Sequence, residues 1–369
     1  MYNTEKITKL QIELTTRCNA SCSVCSRNYS GGAVIEGLNN DTLNLADIKQ
    51  LFPLEILHNL KRINYCGNLG DAGFVKDLPE ILEYFQTMSK HDMLQHVRTN
   101  AGMRNPDFWA RLGKFFYNTN KEIPEHPLHK AGVVFSVDGL EDTNHIYRRG
   151  VLWDKVIANM TAYSEAGGYA IWEWLIFDHN KHQVEEAKIL AMKLGFGFSV
   201  KSPLGFYEGN PFIEVFDKTG QHEYNIYPFD YTGVRETEPS GKKIAIRAPA
   251  HPPKLSNESN EWSKTMDIKC ESLQYPEDQA IFVTASGHLL PCCYLGGALV
   301  ERTNSYARHQ FKHQVNQLGL DKFDLRKNSL IDILKGPYFN NFFEESWNKE
   351  SAEDGKLLFC AEICGKCKQ

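Results

Sequence analysis

Regular alternation between strand-like and helix-like segments limits the fold of this chain more than any other feature of its sequence. From Leu10 to about Val200, short apolar runs alternate with amphipathic segments. One clear run is AGVVFSVDG, and the helical pattern that follows it ends at Gly167 and Gly168. Repeated units of this kind give parallel strands joined by right-handed crossovers. The sequence therefore predicts an α/β fold with six βα units.

Polar or glycine-rich sequences follow three of the apolar runs. They are the segments Cys66–Asp71 (CGNLGD), Thr99–Gly102 (TNAG) and Ser136–Gly139 (SVDG). In parallel α/β folds the loops at the carboxyl ends of the strands form one face, where the chemistry takes place. Glycines let backbone carbonyl groups approach a ligand, and Asp71 can meet an ammonium group. For the first segment, a tight turn without a ligand is the alternative.

Three cysteines near the N-terminus form a C-x3-C-x2-C motif. Cys18, Cys22 and Cys25 directly follow an alternating apolar run that reads as a strand. Thiolates at this spacing select zinc or an iron–sulfur cluster. A [4Fe-4S] cube held by three protein sulfurs keeps one iron open to a substrate or cofactor. A structural zinc knuckle normally has a fourth ligand nearby, and no Cys or His follows up to Ser30.

The other cysteines indicate a second metal centre. Of ten cysteines, six lie in the last hundred residues, at positions 270, 292, 293, 360, 364 and 367. Cys66 stands alone and is expected to be a buried small hydrophobe. The segment EDQAIFVTASGHLLPCC predicts a β-hairpin that turns at residues 285–287. Adjacent cysteines point to opposite faces of a strand, so only one of Cys292 and Cys293 is expected to bind the metal.

The first motif and its lead-in, IELTTRCNASC, resemble the radical S-adenosylmethionine (SAM) enzymes. The resemblance implies a partial (β/α)6 barrel of the TIM type. It also implies a [4Fe-4S] cluster on Cys18, Cys22 and Cys25 that binds SAM at its open iron. Many members carry an aromatic residue before the third cysteine, where this chain has Val24. That position packs beside the cluster and does not ligate it.

The same resemblance implies that residues at the strand ends bind SAM. The GNLGD segment matches the part that binds the amino group of SAM, and Ser136 and Asp138 match positions that contact its ribose or carboxylate. Arg148 matches an arginine that holds the carboxylate, with Arg149 as the alternative. Trp174 either walls the adenine or belongs to the plain core. Together with the strand pattern at Trp174, the predicted SAM-binding residues are Gly67, Asn68, Gly70, Asp71, Asn100, Ser136, Asp138, Arg148 and Trp174.

The C-terminal cysteines resemble the twitch form of the SPASM extension found in radical SAM enzymes. Cys270, followed by Gly287 and Cys292, matches its start. The resemblance implies one auxiliary iron–sulfur cluster, of the [4Fe-4S] type. Its expected ligands are Cys270, Cys292, Cys360 and Cys364, with Cys367 as a replacement for Cys360. Four thiolates suit zinc equally well, so a structural zinc site is the alternative.

A chain of 369 residues is long enough for two domains, or for one barrel with an appendage. We expect a radical SAM core over residues 1–201 and a small α+β auxiliary-cluster domain over 267–369. Between them, over 202–266, the helix and strand periods break down into a sequence rich in Gly, Pro and Ser. A loop region of this length is expected to bridge the domains and contribute to the substrate pocket.

Composition narrows the functional class. The net charge of −5 argues against broad nucleic-acid binding. The sequence has no long apolar stretch and no signal-peptide pattern, and it therefore predicts a cytoplasmic protein with no membrane partner. The family resemblance implies a flavodoxin- or ferredoxin-type reductant and a substrate that is a peptide or protein, a sugar or a small metabolite. Only seventeen residues precede Cys18, so a fused leader-peptide-binding domain is not expected. A non-enzymatic iron–sulfur or zinc protein is the rival prediction.

Overall fold

The computed structural model describes residues 2–122, 130–206, 211–229, 254–300 and 305–367. Its strands are β1 (Ile7–Ile12), β2 (Arg62–Tyr65), β3 (Leu94–Thr99), β4 (Gly132–Ser136), β5 (Ala170–Leu175), β6 (Gly197–Lys201), β7 (Ile213–Phe216), β8 (His222–Ile226), β9 (Met266–Ile268), β10 (Gln279–Val283), β11 (Leu289–Leu290) and β12 (Gly365–Cys367). Its helices are α1 (Leu45–Leu51), α2 (Leu54–Asn59), α3 (Leu78–Met88), α4 (Pro106–Glu122), α5 (Asn144–Tyr147), α6 (Trp153–Glu165), α7 (Val184–Lys193), α8 (Asn257–Lys264), α9 (Cys293–Val300), α10 (Tyr306–Leu318), α11 (Leu330–Lys335), α12 (Phe343–Trp347) and α13 (Leu358–Cys364).

The first six strands form one parallel sheet in chain order, which confirms the α/β fold predicted from the alternating pattern. Helices connect successive strands, as parallel pairing requires. In the described part of the chain the sheet is open, with β6 at one edge and β11 at the other.

The predicted hairpin near the C-terminus is present as β10 and β11, and it belongs to the main sheet. Strand β10 runs parallel to β1, with Ile12 opposite Val283, and β11 returns antiparallel to β10. Ile281, Phe282 and Val283 are all fully buried, so both faces of β10 are covered. A strand buried on both faces is typical of the interior of a parallel sheet. The hairpin thus completes an eight-stranded sheet around β1.

Helix boundaries follow the signals in the sequence. Helix α4 begins at Pro106, and the side chain of Asn105 accepts a hydrogen bond from the Phe108 amide at 3.2 Å. Helix α6 ends before Gly167, whose φ of +81° lies in the left-handed region that favours glycine. None of the helices among the described residues has the length and apolar character needed to cross a membrane.

The segment over 202–266 contains a second hairpin, β7–β8, and helix α8. The hairpin contacts the sheet-end loops through several hydrogen bonds. The Phe216 amide donates to the carbonyl of Ser30 at 3.1 Å, and the Tyr224 hydroxyl donates to the carbonyl of Ile146 at 2.8 Å. Residues 207–210 and 230–253 of this segment lie outside the described residues. The proposed boundaries at 201 and 266 remain a prediction.

Candidate active site

The three motif cysteines lie together on the loop after β1. Cys22 is buried, and Cys18 and Cys25 are half-buried. All three line one cavity of about 610 Å³ at the carboxyl ends of the parallel strands. The motif therefore faces the edge of the sheet at which parallel α/β folds place their chemistry.

Hydrogen-bond donors point at two of the three sulfur atoms. The Ala20 amide donates to Cys18 Sγ at 3.3 Å, and Asn100 Nδ2 lies 3.6 Å from the same sulfur. Arg148 Nη1 lies 3.6 Å from Cys22 Sγ. Donors and a positive charge in these places favour sulfur atoms that carry negative charge, as metal-bound thiolates do.

Burial keeps the thiols protonated until something replaces the proton. It raises the pKa of Cys18 to about 12, with a further contribution from Asp71, and the pKa of Cys25 to about 11, with a further contribution from Cys22. The pKa of Cys22 is also raised by burial, although Arg148 opposes the shift. Metal binding at these residues must therefore release protons.

The donor set fits an iron–sulfur cluster better than a single ion. Within the described residues, no three Cys, His, Asp or Glu side chains converge on one metal position. A four-iron cube spreads its ligand sulfurs over different irons, so they need not converge on one point. Three thiols around a cavity, with donors facing them, are the residues that such a cube would use.

The loop after β2 forms one wall of the cavity and is held by a residue that sequence reasoning missed. Glu13, at the end of β1, is buried and accepts hydrogen bonds from the amides of Leu69 at 2.5 Å and Gly70 at 3.1 Å. A Cβ atom at Gly70 would lie 1.9 Å from the carbonyl oxygen of Thr15, so this position requires glycine. The glutamate in the lead-in sequence ELTT was the available signal for this contact.

Replacing Glu13 with glutamine is expected to change how stability depends on pH. Burial raises the pKa of Glu13 from 4.5 to about 7, although the Leu69 and Gly70 amides oppose the shift. The contribution of the protonated carboxyl group is fully present below pH 4.5 and is lost as the pH rises through about 7. Wild type should lose up to about 3 kcal/mol across this window relative to E13Q. Denaturant unfolding of both proteins at pH 5 and pH 7.5 measures the difference, and parallel pH profiles would contradict the expectation.

Asp71 and Asn100 connect the second and third strand ends to the motif. Asp71 is buried and accepts hydrogen bonds from the amides of Asn100 at 2.7 Å and Gly73 at 2.9 Å. The Asn100 side chain donates to Asn19 Oδ1 at 2.9 Å and accepts from the Gly102 amide at 2.8 Å. Both predicted residues line the cavity, together with Gly67, Asn68 and Gly70.

Arg148 reaches the cavity from the fourth strand end, and Asp138 lies behind it. Arg148 Nε lies 2.6 Å from Asp138 Oδ2, and Asp138 also accepts a hydrogen bond from the Leu175 amide at 2.6 Å. Burial raises the pKa of Asp138, and Arg148 opposes the shift. Ser136 lines the cavity with Arg148, whereas Asp138 is outside the lining. Asp138 therefore orients Arg148, which points its remaining donors at the cavity.

Arg149 and Trp174 lie away from the cavity lining. Arg149 pairs with Glu223 at 2.5 Å and donates to the Tyr224 hydroxyl at 3.0 Å. Trp174 is fully buried, and its ring centroid lies 6.2 Å from that of Trp172 and 6.1 Å from that of Phe198. Trp174 thus belongs to the core, on the buried face of β5.

Four of the C-terminal cysteines come together in a second, smaller cavity. Cys270, Cys292, Cys360 and Cys364 line a space of about 20 Å³. Cys367 is exposed on β12, opposite Met266, and is not part of this lining. The structure therefore brings together one of the two predicted ligand sets, the one that contains Cys360.

Burial also raises the pKa values of thiols in this second group. It raises the pKa of Cys270 to about 11 and that of Cys360 to about 12. The indole nitrogen of Trp347 is buried beside Cys360, and it has no hydrogen-bond partner with good geometry among the described residues. A donor facing a sulfur suits a metal-bound thiolate. Four thiolates are a donor set that both iron–sulfur clusters and zinc use, and here too no three of the described side chains converge on one metal position.

Metal analysis of C270A and C367A is expected to separate the two ligand sets. Cys270 lies in the small cavity, so C270A should lose the metal bound there and C367A should keep it. Iron and zinc are measured on protein purified without oxygen, with wild type as the reference. Loss of iron in C270A supports a cluster, and loss of zinc would contradict it. Equal loss of metal in C367A would contradict the ligand set.

Two cysteines that were given no ligand role also face the large cavity. Cys66 and Cys293 both line it, and so does Gln11 of β1. Cys292 and Cys293, although adjacent, point into different cavities. Cys66, expected to be a buried small hydrophobe, is half-buried and faces the cavity because it follows β2 at the carboxyl edge of the sheet.

No family model matches the sequence, and no curated protein matches it. Several solved structures resemble the fold. SuiB from Streptococcus suis bound to S-adenosylmethionine shares 12% identity with a TM-score of 0.46, and the match covers 84% of this chain and 65% of that chain. SuiB bound to the precursor peptide SuiA gives 12% identity and a TM-score of 0.48, over 96% of this chain and 71% of that one. Native anSMEcpe with bound AdoMet gives 10% identity and a TM-score of 0.46, over 93% and 84%.

Proposed function

We propose that this chain is a radical SAM enzyme. When bound, a [4Fe-4S] cluster and SAM together supply a 5′-deoxyadenosyl radical, which takes a hydrogen atom from an unactivated carbon of the substrate. The observation that carries the proposal is that Cys18, Cys22 and Cys25 share one cavity with the predicted SAM-binding residues of three strand ends.

Each group around the cavity has a task that its chemistry supports. The three thiols hold the cluster, and Asn100 and Arg148 donate towards their sulfurs. Arg148 binds the carboxylate of SAM, because its guanidinium grips a carboxylate at two points and Asp138 fixes its orientation. The loop over residues 67–71 offers backbone groups and Asp71 to the amino group of SAM.

The remaining assignments belong to the same proposal. Residues 270, 292, 360 and 364 hold one auxiliary cluster, which accepts an electron, binds substrate or stabilises the fold. A flavodoxin- or ferredoxin-type protein supplies electrons, and the enzyme works in the cytoplasm. The substrate is a peptide or protein, a sugar or a small metabolite.

The test is anaerobic reconstitution of the protein with iron and sulfide, followed by dithionite and SAM. Formation of 5′-deoxyadenosine, measured by mass spectrometry, is the expected result. The rival function, an iron–sulfur or zinc protein without catalysis, predicts that SAM stays whole and that calorimetry detects no SAM binding. That pair of results would overturn the proposal.

A further inference from the structure

One face of the parallel sheet, which we call the inner face, turns towards the large cavity. Four neighbouring strands each contribute one polar residue of this face to the cavity lining, namely Gln11 of β1, Asn64 of β2, Arg98 of β3 and Ser136 of β4. Side chains along a strand alternate between the two faces of a sheet. The residues that alternate with these four are fully buried on the other face, as Ile63, Val97 and Phe135 are. The inner face is therefore polar and open, and the other face belongs to the core.

Positive charge predominates on the inner face. Continued along β1–β6, the alternation places on it five residues with a full charge: Lys9, Arg62, Arg98, Glu173 and Lys201. The buried face of the same six strands carries no charged residue. Lys9 pairs with Asp278 at 2.5 Å. Three cations thus share the inner face with a single acid, although the whole chain has a net charge of −5.

Glu173 binds two of these cations and cannot neutralise both. Its Oε2 atom lies 2.6 Å from Arg98 Nη1, and its Oε1 atom lies 2.5 Å from Lys201 Nζ. Burial acts to raise the pKa of Glu173, but Lys201 and Arg98 outweigh it and lower the pKa, so the carboxylate stays charged. Two cations and one carboxylate leave a net charge of +1. The side chain of Arg98 remains 50% exposed where it lines the cavity.

A half-exposed guanidinium in a positively charged cavity suits one kind of ligand. Arginine grips carboxylate and phosphate groups at two points, and a cleft lined by one sign of charge concentrates ions of the opposite sign. Exposed ion pairs add little to stability, so bracing of the edge strand β6 is a weak reason for this arrangement. The charges of the inner face point to recognition of an anion.

We propose that Arg98, supported by the Glu173–Lys201 pair, binds an anionic group of the substrate. This inference rests on the proposed function and specifies its substrate class. The substrate presents a carboxylate or phosphate group to the inner face, while SAM binds at the strand ends. Uncharged sugars and cationic side chains do not match this site. Fixing the anionic group against the sheet holds the reacting carbon at one place beside SAM.

Titration with two simple anions, inorganic phosphate and succinate, tests the site. Each is added to the cluster-loaded protein with SAM present, without oxygen and at low ionic strength, and binding is measured by calorimetry. Wild type should bind at least one of them, and the one that binds more tightly identifies the anionic group as phosphate or carboxylate. R98M should weaken binding about tenfold or more, because charge-assisted hydrogen bonds are lost.

Two further variants separate recognition from damage to the fold. E173Q frees both cations from their internal partner, so it should bind the same anion about threefold more tightly. A folding defect cannot produce such a gain. Arg111 of α4 is the matched control, since its side chain is 45% exposed, pairs with Glu80 and Glu83, and lies outside the cavity lining. R111M should keep the affinity of wild type.

The outcomes distinguish this inference from the proposed function. If wild type binds neither anion, or if R98M binds as well as wild type, the site is wrong, and SAM cleavage still stands as the test of the enzyme class. An equal loss of affinity in R111M also overturns the site, because it shows binding to general surface charge. Absence of 5′-deoxyadenosine overturns the proposed function, and the substrate class falls with it even where the anion binds.

Discussion

The triple variant C18A/C22A/C25A is expected to lose cleavage of SAM by a factor of at least about a thousand, because the proposed reaction depends on a cluster whose proposed ligands are these three thiols. The variant should nevertheless fold. Each change removes one sulfur atom from a cavity wall, and the neighbouring strand β1 remains fully paired. Iron content after reconstitution and the yield of 5′-deoxyadenosine measure the effect.

A change in the same loop that spares the cavity provides the matched control. Ser23 lies between the cysteines, is buried, and has a hydroxyl group with no hydrogen-bond partner among the described residues. It is not part of the cavity lining, so S23A should keep its iron and its SAM cleavage within about twofold of wild type. A loss in S23A as large as in the triple variant would show that the loop fold, and not thiol ligation, is being measured.

Replacing Arg148 with methionine is expected to reduce both stability and SAM binding. The side chain of Asp138 is almost fully buried, with 1% exposure, and Arg148 is its charged partner at 2.6 Å. Removing the guanidinium leaves a buried carboxylate unpaired, which costs about 3–5 kcal/mol of unfolding free energy. SAM affinity should fall about a hundredfold, because a two-point grip on a carboxylate is lost. Denaturant unfolding and calorimetry with SAM measure the two effects.

Two further variants separate stability from binding. R148M/D138N also removes the unpaired carboxylate of Asp138, so it should recover most of the lost stability while SAM affinity stays low. R149M changes the neighbouring arginine, which pairs with the more exposed Glu223, and should cost no more than about 1 kcal/mol. An equal loss of SAM affinity in R149M would reverse the assignment of the two arginines.

Local patterns in the sequence were sufficient for the sheet and for much of the cavity. The order of β1 to β6 follows from alternating periods, because parallel strands joined by helices have few other arrangements. Since all their carboxyl ends lie at one edge, residues as distant as Cys18, Asn100 and Arg148 could be expected to face each other. The structure places Asn100 beside Cys18 and Arg148 beside Cys22.

Long-range contacts account for what the sequence could not predict. The alternating pattern of β5 does not show whether Trp174 meets a ligand or the core, since this depends on side chains of the neighbouring strand, such as Phe198 of β6. Asp138 is buried outside the cavity lining, where it pairs with Arg148, which does line the cavity. Cys293 reaches the large cavity only because β10 docks beside β1, and the apolar run of β10 does not specify its partner strand.

The pairing of β1 with β10 also bears on how the protein is made. Strand β1 leaves the ribosome well before β10, the strand that covers its second edge, which begins only at Gln279. Until then β1 has an open row of backbone groups, which is a hazard for aggregation. The loop with the three cysteines directly follows this strand, whose second edge is still unpaired at that stage. Insertion of the proposed cluster should therefore follow translation of β10, and chaperones should matter most before that point.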